Sequence, residues 1–191
     1  MLGLGSSIVN SSRSYSEIIT LYEQESFSTV GDWTVVSSTG SHDVSDSTVT
    51  AGETAPGSSN NDWLKVYYAQ DYVSLSYDPV LRYNQNVIAD LGGAEGDYVS
   101  LEAEVYLDGP WGTSGNGNRQ LFLQWSGYTA SDLFIPTDQE TTVSTGAGAN
   151  FPTGSFSSDD VFEIRFSVPL FVVKAGCSMY LRNIKITAER Y

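Results

Sequence analysis

The residue types in this chain best suited to chemistry are aromatic side chains beside polar ones, and they concentrate between positions 111 and 128. Flat Trp and Tyr rings stack on sugar rings, while amide and guanidinium groups hydrogen-bond to sugar hydroxyls. Aromatic residues also anchor protein–protein interfaces. The candidates for a stacking platform or an interface are Trp111, Trp125, Tyr128, Arg119 and Gln124. The sequence leaves both uses open.

Catalytic groups are sparse in this sequence. His42 is the only histidine, and it lies in the polar run SSTGSHDVSDS beside Asp43, far from any nucleophile elbow. Glu102 and Glu104 would lie about 7 Å apart on the outward face of one strand, where a solvated sheet face explains them without chemistry. We therefore predict no catalytic residue and a non-enzymatic protein, with a lyase or hydrolase on the same scaffold as a third hypothesis.

Metal ligands also lack a recognisable pattern. Cys177 is the only cysteine, so it has no internal disulfide partner, and we expect a small core or turn residue. A zinc site would lack ligands. Four carboxylates could supply oxygen to calcium, but their spacing matches no calcium loop: Asp132, Asp138, Asp159 and Asp160. The sequence predicts no cofactor and no metal site, although calcium stays possible.

Composition favours one compact, acidic domain. The chain has 191 residues, of which 40% are hydrophobic and 17% charged, enough apolar material for a packed core. Nine basic against 23 acidic residues give a net charge of −14, which repels phosphate backbones and anionic lipid. No apolar run approaches the roughly 20 residues that span a bilayer. We therefore expect neither nucleic acid nor membrane as a partner.

Short runs with a period of two separate turn-rich segments along most of the chain. Residues 101, 103, 105 and 107 are apolar and alternate with polar ones, and residues 162–168 follow the same pattern. Turn clusters such as SSTGS and GGAEGD separate the runs, and no helical periodicity is convincing. The pattern predicts an all-β fold, a two-sheet antiparallel jelly-roll β-sandwich over residues 17–191.

Two local predictions follow from this pattern. Trp33 and Trp63 open apolar runs and are expected in the core, whereas Trp111, in the loop DGPWGTSGNGN, should be harder to bury. The residues 174–177 read as a tight hairpin turn, so the last two strands should pair antiparallel.

The first 16 residues differ from the rest. This segment is rich in Ser and Gly and has four apolar anchors, Leu2, Leu4, Ile8 and Val9. It lacks the basic and apolar regions of a secretion signal, so we expect Met1 to begin the mature protein. We predict an extended N-terminal arm, residues 1–16, that holds a partner by strand addition or groove contact.

From Ile18 onward the chain resembles the jelly-roll carbohydrate-binding modules found beside glycoside hydrolases and within phage tail proteins. The resemblance rests on the opening EIITLYEQESFSTVGDWTVV and on the closing AGCSMYLRNIKITAE, which frame about nine tenths of the chain. In such modules an Asp of the final strand helps to hold a structural calcium ion. Arg182 stands at that position here, so the resemblance does not imply calcium at this place.

The leader LGLGSSIV resembles those of structural proteins of tailed phages, especially marine ones. This resemblance implies a virion location, capsid or other virion proteins as partners, and a homo-oligomer such as a trimer. Our main hypothesis is a capsid decoration or cement protein bound to the head through its arm and aromatic contacts. The alternative is a carbohydrate-binding module, or a tail component that recognises host glycans.

Overall fold

The computed structural model describes residues 16–37, 44–69, 72–73, 80–86, 89–94, 97–111, 120–125, 128–134, 138–144, 161–167, 172–173 and 175–190. For the strand residues 72–73, 98, 120–125, 128–134, 162–167 and 172–173 this description covers the backbone alone. Strands, turns and loops make up these ranges, and no helix occurs in them. The described residues therefore contain no helix that is long and apolar enough to cross a membrane. The predicted arm lies outside these ranges except for Ser16.

Thirteen strands follow one another in the part of the chain that the structure describes. They are β1 Glu17–Gln24, β2 Trp33–Val36, β3 Thr48–Glu53, β4 Trp63–Tyr68, β5 Tyr72–Val73, β6 Val80–Asn86, β7 Tyr98–Asp108, β8 Gln120–Trp125, β9 Tyr128–Phe134, β10 Glu140–Ser144, β11 Val161–Ser167, β12 Val172–Val173 and β13 Cys177–Arg190. Both runs with the clearest alternation became strands, β7 and β11.

The strands form two main antiparallel sheets. The six-stranded sheet has the order β10-β7-β13-β4-β3, with β1 added on β13, and the five-stranded sheet has the order β2-β6-β11-β8-β9. A separate two-stranded ribbon joins β5 and β12. This arrangement confirms the predicted all-β, two-sheet antiparallel sandwich.

The core lies between the inner faces of the two sheets. Leu101, Ala103, Val105 and Leu107 of β7 are at most 1% exposed, as the alternation predicted. Trp33, from the five-stranded sheet, packs into the same cluster. Burial of apolar surface contributes about 25 cal/mol per Å², so this shared interior is the main stabilising contribution.

Two other expectations about burial are confirmed. Trp63, the first residue of β4, and Cys177, the first of β13, are both fully buried. Trp63 belongs to a small second cluster with Ala55, Tyr106 and Tyr180. Trp63, Tyr106 and Tyr180 fall on the outward positions of their strands, so this cluster lies on the outer face of the six-stranded sheet.

A break in register divides β13 into two halves. The first half, up to Leu181, pairs with β4, and the second, from Ile184, pairs with β1. Asn183 lies at the irregularity with φ 49°, and its N–H donates to Glu25 O at 3.0 Å. Asn tolerates this left-handed conformation better than most residues. The irregularity lets one long strand bind two partners end to end.

The predicted hairpin between the last two strands is wrong. β12 pairs with β5 in the separate ribbon, whereas β13 enters the six-stranded sheet between β4 and β7. The turn itself is present at Ala175 and Gly176, and the Gly176 N–H donates to Tyr68 O at 2.8 Å. Turn residues set the local bend, but the apolar face of β13 selects central neighbours that bury it.

Candidate functional site

A recess of about 120 Å³ lies where β1, β2, β6 and the connection of residues 25–32 meet. Its wall is aromatic and contains Tyr22, Trp33 and Tyr83. Its rim is polar and contains Gln24, Ser28, Thr29 and Asp32. The recess therefore combines flat rings with hydrogen-bonding groups of several kinds.

The three rings of the wall hold one another in place. The ring centroids of Tyr22 and Tyr83 are 4.6 Å apart, and those of Trp33 and Tyr83 are 5.0 Å apart. Tyr22 meets Trp33 edge-on, with 5.7 Å between centroids and 77° between planes. The Trp33 Nε1–H donates to Tyr22 Oη at 3.0 Å. Such tilted and edge-on pairs are the favoured aromatic geometries.

Strand pairing explains why these rings meet. Trp33 and Tyr83 are direct register partners on β2 and β6, so their side chains share the inner face. Tyr22 arrives from β1, in the opposite sheet. Trp33 is only 2% exposed, whereas Tyr22 and Tyr83 are half-buried. The two tyrosines therefore supply the ring surface that a ligand can reach.

The connection that forms the rim is fastened to the sandwich. Phe27 is 3% exposed, its N–H donates to Asp62 O at 2.8 Å, and its carbonyl accepts from the Gly52 N–H at 2.7 Å. At the other end, the Asp32 carbonyl accepts from the Asn84 N–H at 3.0 Å. The polar rim therefore has a fixed backbone, which lowers the entropy cost of binding.

The electrostatic environment of the recess is negative. Burial raises the pKa of Tyr22 to about 12, against the hydrogen bond from Trp33, and Tyr83 and Asp32 raise it further. Burial also raises the pKa of Tyr83, and the charges of Asp32 and Asp90 add to this effect. Both phenols are neutral at neutral pH, so Asp32 carries the formal charge at the rim.

A second polar assembly lies on the outer face of the six-stranded sheet, around Arg182. The Arg182 Nε donates to Glu104 at 2.5 Å, Nη2 to Glu140 at 3.0 Å and Nη1 to Asp62 at 3.4 Å. Its guanidinium lies 4.5 Å from the centroid of the Trp63 ring. The Arg182 side chain is 15% exposed. One cation thus joins residues of β7, β10, β4 and the segment before β4.

The charge of Arg182 dominates its neighbourhood. Burial would raise the pKa of Glu104, but hydrogen bonds from Asn183 and Arg182 and the charge of Arg182 outweigh burial and lower it. The same carboxylates raise the pKa of Arg182 against the effect of its own burial. This assembly joins one cation to three carboxylates of the same chain, and we assign it a structural role.

Trp111, a sequence candidate for the stacking platform, is placed in the interior. It is 8% exposed, its Nε1–H donates to Asp108 O at 2.9 Å, and its ring lies 5.7 Å from that of Tyr68 at 82°. The expectation that this loop residue would be hard to bury is therefore wrong. The Gly- and Pro-rich context indicated a loop, but the indole completes the core beyond the end of β7.

The other candidates are located only by backbone or not at all. Trp125, the last residue of β8, and Tyr128, the first of β9, are register partners, and Gln124 precedes Trp125. On β11, Phe162 pairs with Tyr83 of β6, and the next residue, Glu163, pairs with Gln124 of β8. Trp125 therefore lies level with Tyr83, two strands or about 10 Å away. Their roles stay predictions. Outside the described residues lie Arg119, Leu2, Leu4, Ile8, Val9, His42, Asp43, Asp159 and Asp160.

Sequence reasoning missed the recess. Tyr22 and Asp32 lie in the opening segment that carries the family resemblance, and Tyr83 lies in β6, but nothing in their spacing marked them as site residues. Only the pairing of β2 with β6 and the packing of β1 over them unite these residues. Among the described residues, no group of three or more His, Cys, Asp or Glu side chains could hold a metal ion.

Comparisons with known proteins show only distant structural similarity. No protein-family model and no curated protein sequence matches the chain. A xylan-binding CBM22-1 domain of Paenibacillus barcinonensis Xyn10C is 12% identical, with a TM-score of 0.49 over 88% of this chain and 94% of that one. The CBM22-1–GH10 modules of Clostridium thermocellum xylanase 10B, solved with xylohexaose, are 12% identical, with a TM-score of 0.47 over 88% of this chain and 28% of that one.

A Stig cyclase from Fischerella sp. TAU shows a comparable distant likeness. It is 16% identical, with a TM-score of 0.44 over 89% of this chain and 90% of that one. The chain is thus distantly similar in structure both to xylan-binding domains and to cyclases. These likenesses describe a β-sandwich, and they say nothing of activity or ligand.

Proposed function

We propose that this chain is a non-catalytic binding domain that holds a sugar in the recess between β1, β2 and β6. The observation that carries the proposal is the aromatic wall of Tyr22, Trp33 and Tyr83 beside the Asp32 carboxylate. A sugar ring offers an apolar face to such a wall and hydroxyls to such a rim. This is the glycan-binding alternative, carried by different residues from those that the sequence suggested.

Two properties of the recess support binding. Half-buried Tyr22 and Tyr83 offer ring surface, while the contact of each with Trp33 holds it in one orientation. The rim residues Gln24, Ser28 and Asp32 are exposed and can exchange water for sugar hydroxyls. A fixed wall with a solvated rim suits reversible binding at low ordering cost.

The carboxylate content of the recess supports a role in binding without turnover. Asp32 is the one carboxylate among its described lining residues. Glycoside hydrolysis uses two carboxyl groups about 5 to 10 Å apart. A single carboxylate beside neutral phenols accepts hydrogen bonds from hydroxyls, as a binding site requires.

The test is a glycan array probed with the wild-type chain and two recess variants, Tyr83→Ala and Asp32→Ala. We expect binding to a subset of glycans that both variants weaken at least about tenfold, the loss expected for one stacking or charged contact. The matched control is Tyr67→Ala, because Tyr67 is 37% exposed on β4, away from the recess. Product analysis by chromatography measures turnover in the same samples.

Three outcomes would overturn the proposal. An array without binding would contradict sugar binding. Binding by Tyr83→Ala equal to that of the wild type would contradict the recess as the site. Released products would contradict the non-catalytic role. Circular dichroism and urea unfolding of each variant separate loss of binding from loss of fold.

The capsid decoration hypothesis keeps one supporting observation. Ile18 is 71% exposed on β1, directly after the predicted arm, and among the described residues β1 pairs with β13 alone. An exposed strand edge accepts an added strand. Co-sedimentation with undecorated phage heads tests it: binding that disappears when residues 1–16 are removed supports attachment through the arm, and equal binding without them contradicts it.

A further inference from the structure

Resting on the proposed function, we infer that the recess accepts the terminal residue of a glycan, neutral or amine-bearing, and rejects uronic, sialic and sulfated sugars. Two independent observations carry this inference. One is the size of the recess, and the other is the sign of the charge around it.

Size limits how much of a glycan can enter. The recess has a volume of about 120 Å³, whereas pockets that enclose a whole drug-sized ligand have about 300 Å³ or more. One sugar ring fills such a space. The connection carrying Ser28 and Asp32 forms its rim and is pinned by the Phe27 backbone hydrogen bonds. A space for one ring fits the terminal residue of a glycan that enters end-on.

Charge limits which terminal residue can enter. Asp32 is the only charged side chain among the described lining residues, and Asp90 lies close enough to act on Tyr83. Arg82 precedes Tyr83 in β6, so its side chain falls on the opposite face of the sheet. Lys185, beyond Gln24 on the outer side, is paired with Glu23 at 2.8 Å. A ligand carboxylate or sulfate would meet Asp32 without a compensating cation from these residues.

An amine reverses the sign of that interaction. A protonated amino group on the sugar would pair with the Asp32 carboxylate in a charge-assisted hydrogen bond. Neutral hydroxyls would donate to the same oxygens more weakly. The expected order of affinity is therefore amino sugar, then neutral sugar, then uronic acid.

The experiment compares sugars in which one neutral substituent is replaced by a cationic or an anionic one. The probes are the neutral, 2-amino and uronic forms of glucose, galactose and mannose, titrated against the chain at low salt by ligand-observed NMR. In the best-binding series we expect the uronate to bind about tenfold more weakly than the neutral sugar, because its carboxylate and that of Asp32 repel each other at the protein surface. Asp32→Asn should bring the three affinities together.

A second arm tests entry by the chain end. A linear homopolymer of the best-binding sugar is compared intact and cleaved to hexasaccharides, at equal sugar mass. End-on binding predicts a capacity that rises in proportion to the number of chain ends. An unchanged capacity would show that internal residues are bound and would overturn this part of the inference.

The outcomes separate the inference from the proposed function. If none of the nine sugars binds, the sugar-binding proposal itself fails. If sugars bind but the uronate matches the neutral form, or if Asp32→Asn leaves their ratio unchanged, the charge selection is wrong while sugar binding stands. Tyr67→Ala, far from Asp32, should leave every ratio as in the wild type.

Discussion

Arg182 and Asp32 are charged residues in two regions of this sandwich, and their surroundings differ. Arg182, on the outer face of the six-stranded sheet, has hydrogen bonds to Glu104, Glu140 and Asp62 and an aromatic ring beneath it. Asp32, at the rim of the recess, is exposed, and in the described ranges no ion pair includes it.

The difference separates a structural charge from one that is available. The donors of Arg182 are directed at carboxylates of its own chain, so a ligand would have to replace contacts already made. Asp32 faces solvent beside two reachable tyrosine rings, and a ligand needs only to displace water there. For this reason we base the proposed binding site on Asp32 and its neighbouring rings, and not on the Arg182 cluster.

The largest expected effect comes from removing the guanidinium. Arg182→Ala should lower the free energy of unfolding by about 2–3 kcal/mol, below the range of about 3–5 kcal/mol for a fully buried pair, because Glu140 is 44% exposed. Lys185→Ala is the matched change on the same strand and should have no measurable effect, because Lys185 and Glu23 are 41% and 49% exposed. Urea unfolding compares them, and equal losses would contradict the distinction.

A smaller effect is expected in the wall of the recess. Tyr22→Phe removes the acceptor of the Trp33 Nε1–H, and Trp33 is 2% exposed, so we expect a loss of about 1 kcal/mol. The pKa of Tyr22 is raised from 10.0 to about 12, so its contribution is complete below pH 10 and lost as pH rises through 12. The free energy of unfolding should thus fall less steeply between pH 9 and 12 for the variant than for the wild type. Parallel curves for the two proteins would contradict this assignment.

The smallest expected effect is on thermal stability at acid pH. The pKa of Glu104 is lowered from 4.5, so the stability it contributes is present above pH 4.5 and lost as pH falls through its folded value. Glu104→Gln should flatten the fall in melting temperature between pH 5 and 2. Glu102→Gln removes an equal charge from the same strand and is the control for net charge. A flattening that is the same in both variants would assign the effect to net charge.

Much of the fold was predictable because alternation is local. The period of two in β7 placed Leu101 and Val105 in the core before any partner strand was known. Trp111 shows where this reasoning ends. Its Gly-rich surroundings predicted exposure, but the indole N–H reaches Asp108 O and the ring packs on Tyr68. Neither contact leaves a trace in the spacing of residues.

The sequence by itself determined an acidic, all-β sandwich, because strand periodicity, turn residues and charge are properties of neighbouring residues. Only the tertiary structure decided which residues share a site. Tyr22, Trp33 and Tyr83 meet because β2 pairs with β6 and β1 packs over them from the other sheet. Arg182 meets Glu104, Glu140 and Asp62 through pairing within the six-stranded sheet. Pairing between distant strands is chosen by the apolar surface that they bury together, which no short segment contains.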